Sequence, residues 1–340
     1  MKEIKQKIVG FRSAPNIFTY ATSELSQDAF ILWLLDWANP QFEKEDKALC
    51  DAAQDFVRLL LNEKDLKITS VKCQKQEHHI DVFAIINEGY ALIVEDKTNT
   101  SEHGDQIRRY YEWVNKEKKY SDLSIHCVYY KTGNESAFKL TRLTQKYDEE
   151  FKSKHFSIIT REEVLELFKH YSSQNAIFID YVAHIQSIQD ATNAYLTTSS
   201  DKWNDLAWQG FYMNLEKELN KGDWGYVANP SGGFWGFWWH FCPINSIQDA
   251  RIYLQFEQNK LCIKGYYKIG EKVGKKHSAK VIKCANERNI PITKPTRLRC
   301  GTTMTLAVVE LQSFVNLNMS NLINQLHNIE SFIDRVSKEL

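Results

Sequence analysis

The stretch from Ile80 to Lys97, IDVFAIINEGYALIVEDK, restricts this chain more than any other, because two apolar, β-branched runs flank a short polar reversal at Asn87, Glu88 and Gly89. The pattern predicts two antiparallel strands. Side chains alternate between the faces of a strand, so Glu95 and Lys97 share one face and Asp96 takes the other. The reversal can then bring Asp81 back to the Glu95 and Lys97 pair. Two carboxylates and an ammonium in one pocket suit a hard divalent cation, with the lysine placed to orient or stabilise a hydroxide that attacks a phosphodiester. A cross-strand ion pair on a half-exposed hairpin would use the same residue types. Against that, Glu95 closes the apolar run ALIV, where an unpaired carboxylate is costly to bury.

The hairpin sits within a longer alternation of periods. Phe30, Ile31, Leu34, Leu35 and Ala38 make one helical stripe, which Ser23 or Ser26 can cap and which Asn39 and Pro40 stop. A second helix runs through Leu49, Ala53, Phe56, Val57 and Leu60 to Asn62. Strands then follow at ITSVKCQ, IDVFAII, YALIVED, IHCVYYK and FSIIT, with a helix over Gln106 to Val114 between the third and fourth. Thr160 and Glu163 read as a capping box opening a further helix. This order predicts an α/β core with the hairpin at its centre.

Asp81, a hairpin and Glu95-x-Lys97 together resemble the PD-(D/E)XK nuclease superfamily, the restriction-endonuclease-like fold. The likeness covers roughly residues 13 to 170. ATSELSQDAFILWLLDWA is similar to the first helix of that fold, which often supplies a further acid, here Glu24, with Asp28 and Gln27 behind it. DQIRRYYEWV resembles the helix after the catalytic strand, with Gln106 and Tyr110 in a Gln-x-x-x-Tyr pattern. Ile80 stands where the family's name would put a proline, a substitution widespread among members. The resemblance implies a mixed sheet flanked by helices and a metal-dependent endo- or exonuclease. Asp81, Glu95, Lys97, Glu24 and Gln106 would be its catalytic residues. Asp81, Glu95, Glu24 and the main-chain carbonyl of Asp96 would hold Mg2+ or Mn2+, and Tyr110, Arg108 and Arg109 would contact substrate. It also implies nucleic acid, chiefly DNA, as partner, admits a homodimer, and points to bacterial DNA processing or defence. The competing expectation is a nuclease fold that binds nucleic acid, or acts as a sensor, without cutting it.

At 340 residues the chain exceeds what one core usually fills. The Thr and Ser cluster LTTSSD divides it into a nuclease-like domain over 1–190 and an accessory α+β domain over 200–340. Forty-three basic and 43 acidic residues cancel, so nucleic acid would have to be held by a local patch rather than a global field. The lysines of KIGEKVGKKHSAKVIK offer one such patch or a solvated loop. They do not form a phosphate loop, because three residues separate Gly270 from Gly274 and Lys276 replaces the expected hydroxyl residue. Seven cysteines, odd in number and without a C-x-x-C pair, fit free thiols and speak against a structural zinc site. No leader-like or membrane-spanning run is present, and a cytoplasmic location follows as an expectation. His78 and His79 read as exposed strand-end residues. In GGFWGFWWHF, alternation assigns Trp235, Phe237, Trp239 and Phe241 to the core and leaves Phe234 and Trp238 for stacking on a ligand or base.

Overall fold

The computed structural model describes residues 15–21, 23–74, 77–151, 155–229, 232–268, 273–298, 301–311 and 318–340. The basic tract's residues 269–272, Cys300, Thr22 and the first fourteen positions lie outside them. Contacts group the chain into two units, Met1–Glu135 with Leu140–Asp190, and Ser136–Lys139 with Ala191–Leu340.

The first unit opens with helices α1 (Glu24–Trp37) and α2 (Lys47–Leu61), followed by strands β1 (Val71–Gln74), β2 (Val82–Ile86) and β3 (Tyr90–Lys97). Helix α3 (Gln106–Lys116), β4 (Ser124–Lys131), α4 (Ala137–Phe151), β5 (Phe156–Thr160), α5 (Arg161–Phe168) and α6 (Ala176–Asn193) complete the series. The strands lie in the order β1-β2-β3-β4-β5. β1, β2 and β3 pair antiparallel, whereas β3, β4 and β5 run parallel, which makes the sheet mixed. Helical crossovers allow the parallel pairings and cover both faces, so β3 and β4 are apolar on both sides. One face carries Val82, Ala84, Leu92 and Val94 against α1 and α2 residues such as Leu34 and Phe56. The other carries Phe83, Ala91, Ile93 and Tyr129 against Ile107, Val114 and Tyr147.

Helix α4 has no counterpart in the sequence reading. AFKLTRLTQKYDEEF fully buries only Tyr147 and Phe151, so its apolar period is too sparse to stand out. Ser23 occupies the N-cap of α1, but its hydroxyl meets Ser26 Oγ at 3.3 Å and caps no backbone N–H. The capping box at Thr160 and Glu163 is present as expected. His78 and His79 are exposed but belong to a single 3-10 turn rather than a strand, with left-handed φ values of 50° and 64°, and His78 stacks on Trp113.

The second unit contains α7 (Asp205–Leu219), β6 (Asp223–Val227), β7 (Phe234–Pro243), β8 (Arg251–Glu257), β9 (Lys260–Tyr266), α8 (Gly274–Asn286), β10 (Ile292–Thr293), β11 (Thr303–Val309) and α9 (Met319–Glu339). Its six strands form an antiparallel sheet in the order β10-β11-β9-β8-β7-β6. Its core joins Phe211, Phe237, Trp239, Phe256, Leu326 and Ile333. Alternation along β7 holds for Phe237 and Trp239 and then fails. The register with β8 shifts between Trp239 and Cys242, and His240 adopts φ 56°. This bulge turns Phe241 outward, 48% exposed and stacked on Tyr253, where the sequence placed it in the core. Residues 274–283 of the basic tract lie in helix α8, with His277, Ser278 and Val281 buried, so this part is not a solvated loop.

Candidate active site

The antiparallel register pairs Val82 with Val94, and one further step sets Asp81 opposite Glu95. Both side chains, with Lys97, project from the face of the sheet that α3 covers. Asp96 points to the α1 face, as strand alternation requires. Glu95, Asp96 and Lys97 are all buried, at 0%, 0% and 4% exposure, at the end of a strand enclosed on both sides.

Four oxygens ring the Lys97 ammonium. Glu95 Oε1 lies 2.5 Å away, the Asp96 carbonyl accepts a hydrogen bond from it at 3.1 Å, and Asp81 Oδ2 and Glu24 Oε2 each stand at 3.9 Å. Asp81 is held in place by the Asp96 N–H, which donates to its Oδ2 at 3.2 Å. Glu24, on the first turn of α1, reaches the same ring while its Oε1 accepts from Thr98 N at 3.1 Å and Thr100 Oγ1 at 2.9 Å. Neither Glu95 oxygen accepts a hydrogen bond of regular geometry, and Oε1 meets Lys97 as an ion contact only.

On the opposite face the Asp96 carboxylate accepts from Gln27 Nε2. Gln27 Oε1 in turn accepts from Thr132 Oγ1 at 2.9 Å and the Tyr181 hydroxyl at 3.2 Å. Buried Asp28 adds a carboxylate with an unbonded Oδ1.

Crowded, desolvated carboxylates resist ionisation. Burial first, then the charge of Asp81, pushes Glu95 up to about 8 against the pull of Lys97. Asp28 rises to about 7 through burial and then Asp81. Asp81 rises through burial, with Lys97 opposing, and Asp96 lies well above the usual carboxylate range through burial and the charge of Asp28. Burial would lower Lys97, but contact with Glu95 and the charges of Asp81 and Glu24 outweigh it and raise its pKa. Lys97 is therefore an ammonium at neutral pH, a source of positive charge rather than a proton acceptor.

The donor set is made of hard oxygens arranged around a positive charge, which is the chemistry that suits Mg2+ or Mn2+. Asp81 and Glu95 are also in side-chain contact with each other beside the ammonium. Among the described residues, the group of three whose ligand atoms all lie within 4.8 Å is a different one, His240, Cys242 and Asp334.

Gln106 and Tyr110 share one face of α3 as expected. Tyr110 is buried and its pKa is raised, by burial first and then by Glu95, with Gln106 and Asp81 also within electrostatic reach. Gln106 Oε1 is buried without a hydrogen-bond partner. Of the two arginines, Arg109 lies within electrostatic reach of Tyr110 and Arg108 is turned to acidic partners. Arg108 pairs with Asp105 at 2.7 Å and Glu150 at 3.7 Å, and Arg109 is exposed.

Lys131 escaped the sequence reading. It ends β4 as Lys97 ends β3, the two are direct partners in the parallel register, and that shared placement of a lysine after an apolar run was the available signal. It is buried and donates to Thr98 O at 3.0 Å and to Thr100 O, which fixes the loop that binds Glu24.

These elements define an α/β protein with an acidic cluster around a lysine at the end of its middle strand. The family model of the PD-(D/E)XK nuclease superfamily matches residues 15–209, more than half of the chain, and the chain belongs to this superfamily. Its members are generally nucleases that act on nucleic acid and typically use a divalent metal. Searches of curated proteins and of solved structures gave no match.

Proposed function

We propose that this chain hydrolyses phosphodiester bonds in DNA, with Asp81 and Glu95 holding Mg2+ or Mn2+ and with Glu24 and the Asp96 carbonyl completing the oxygen set. The observation that carries this reading is the ring of four oxygens around the Lys97 ammonium, which includes a wholly buried Glu95 carboxylate without a regular hydrogen bond. When bound, the cation lowers the pKa of a coordinated water and offsets charge on the scissile phosphate. Lys97, permanently charged, orients the attacking hydroxide and stabilises the charge that develops on the phosphate oxygens. Gln106 and Tyr110 position a phosphate oxygen from the α3 side, and exposed Arg109, with Arg108, contacts the flanking backbone. The second unit serves as an accessory domain. The setting that suits such an enzyme is cytoplasmic DNA processing or defence against foreign DNA.

The test is incubation of the purified chain with plasmid, single-stranded DNA and RNA, in Mg2+, in Mn2+ and in chelator. Cleavage of DNA that requires metal, and that falls by at least about 100-fold in Asp81→Ala, supports the reading. DNA left whole under every condition overturns it and favours a fold that binds without cutting.

A further inference from the structure

In the second unit the bulge in β7 gathers three side chains that the proposed hydrolysis does not use. His240 Nε2 lies 3.0 Å from Asp334 Oδ1, and the Cys242 thiol donates to the same oxygen at 3.3 Å. The three ligand atoms all lie within 4.8 Å of one another. We propose that His240, Cys242 and Asp334 form a binding site for a borderline-soft divalent cation, Zn2+ first, with its remaining position open to solvent.

The spacing fits the metal. Bonds of about 2.0–2.3 Å to nitrogen, oxygen and sulfur in a tetrahedron put ligand atoms roughly 3.3–3.8 Å apart, so small side-chain rotations close this group around an ion. The donor set of imidazole, thiolate and one carboxylate selects Zn2+ over the hard cations that suit the oxygen ring of the first unit. The backbone is shaped to make the group. His240 takes φ 56° at the bulge, which lets residues 240 and 242 both reach Asp334 on α9 while Phe241 turns away to stack on Tyr253.

A carboxylate also stands near the imidazole's other nitrogen. The other ring nitrogen of His240 faces Glu330 Oε1 at 4.0 Å. Glu330 is itself fixed by hydrogen bonds from Trp239 Nε1 at 2.6 Å and Lys221 Nζ at 2.9 Å. A hydrogen bond from the far ring nitrogen to such a carboxylate fixes the tautomer and ring plane of a metal-bound histidine, and a small ring rotation would close the 4.0 Å gap to one. Binding releases the Cys242 thiol proton to solvent and replaces the hydrogen bonds to Asp334 with bonds to the ion. The absence of paired Cys-x-x-Cys motifs hid the site, since Asp334 lies far along the chain from His240 and Cys242 and only α9 brings it to the bulge.

The full chain, stripped with chelator and kept in excess Mg2+ to saturate oxygen sites, is titrated with Co2+ and read by absorption. The expected result is a thiolate-to-cobalt charge-transfer band that saturates at one equivalent and is displaced by Zn2+. Cys242→Ser should abolish the band, and Asp334→Asn should weaken Co2+ binding by at least about tenfold. Asp334 is 55% exposed, so its replacement leaves the core intact and tests the site even where Cys242→Ser impairs folding. No band in the wild-type chain, a band that survives Cys242→Ser, or unchanged affinity in Asp334→Asn overturns the proposal.

Discussion

Glu95 and Lys97 set opposite demands on the molecule. Glu95 is buried, crowded by Asp81 and raised to about 8, while the Lys97 ammonium 2.5 Å away opposes that rise. Because removing one partner of a buried pair leaves the other charge uncompensated, Glu95→Gln is expected to lower the melting temperature of the metal-free protein at pH 8 and to remove metal-dependent cleavage, both read on one preparation. The pH dependence follows from the same shifts. A carboxyl whose folded pKa lies above its unfolded value binds more protons when folded, so stability is lost as pH climbs from the unfolded to the folded value. For Asp28 and Glu95 that interval runs from the ordinary carboxylate values of 3.8 and 4.5 to about 7 and about 8. A bound divalent cation restores what is lost. The melting-temperature increase on adding Mn2+ is therefore expected to be larger at pH 8 than at pH 5, and an equal or smaller increase at pH 8 would contradict this electrostatic account. At this scale the trio was legible because alternation alone puts Glu95 and Lys97 on one face. The Gln27, Thr132 and Tyr181 network behind Asp96 was not, because those partners come together only through packing of α1 and α6.

The elements are held in register around the site by a close backbone approach that local patterning does not reveal. A Cβ on Gly133, just beyond β4, would fall 1.8 Å from the Thr98 carbonyl oxygen, so the two loops touch there and only glycine fits. Thr98 also donates its N–H to Glu24 and accepts from Lys131, so displacement at Gly133 moves both. Gly133→Ala is expected to cost roughly 1–3 kcal/mol in chemical denaturation and to lower cleavage. Gly89→Ala, with nothing nearer than 3.8 Å, should leave both nearly unchanged. Strands and the capping box were readable from their periods. Helix α4 was missed because it buries little, and Phe241 was misassigned because a bulge breaks alternation at a point where residue types give no warning.

Across the whole molecule the balance of 43 basic and 43 acidic residues provides no general attraction for DNA, so recognition rests on local charge and on the cation itself. No helix among the described residues is long and apolar enough to cross a membrane. The α/β organisation of the first unit was visible in the order of periods, whereas the joining of Ser136–Lys139 to the second unit depends on contacts remote in sequence. If the oxygen ring holds the metal, Mn2+ should slow amide exchange at residues 81–98 and at the start of α1. The β8 and β9 strands should be unaffected, as read by hydrogen exchange and mass spectrometry. The account's central claim is that Asp81 and Glu95 share a divalent cation beside the Lys97 ammonium. An anomalous difference map from Mn2+-soaked crystals tests it most directly. A peak within bonding distance of both carboxylates is the predicted result, and a map with no peak beside residues 81 and 95 would contradict it.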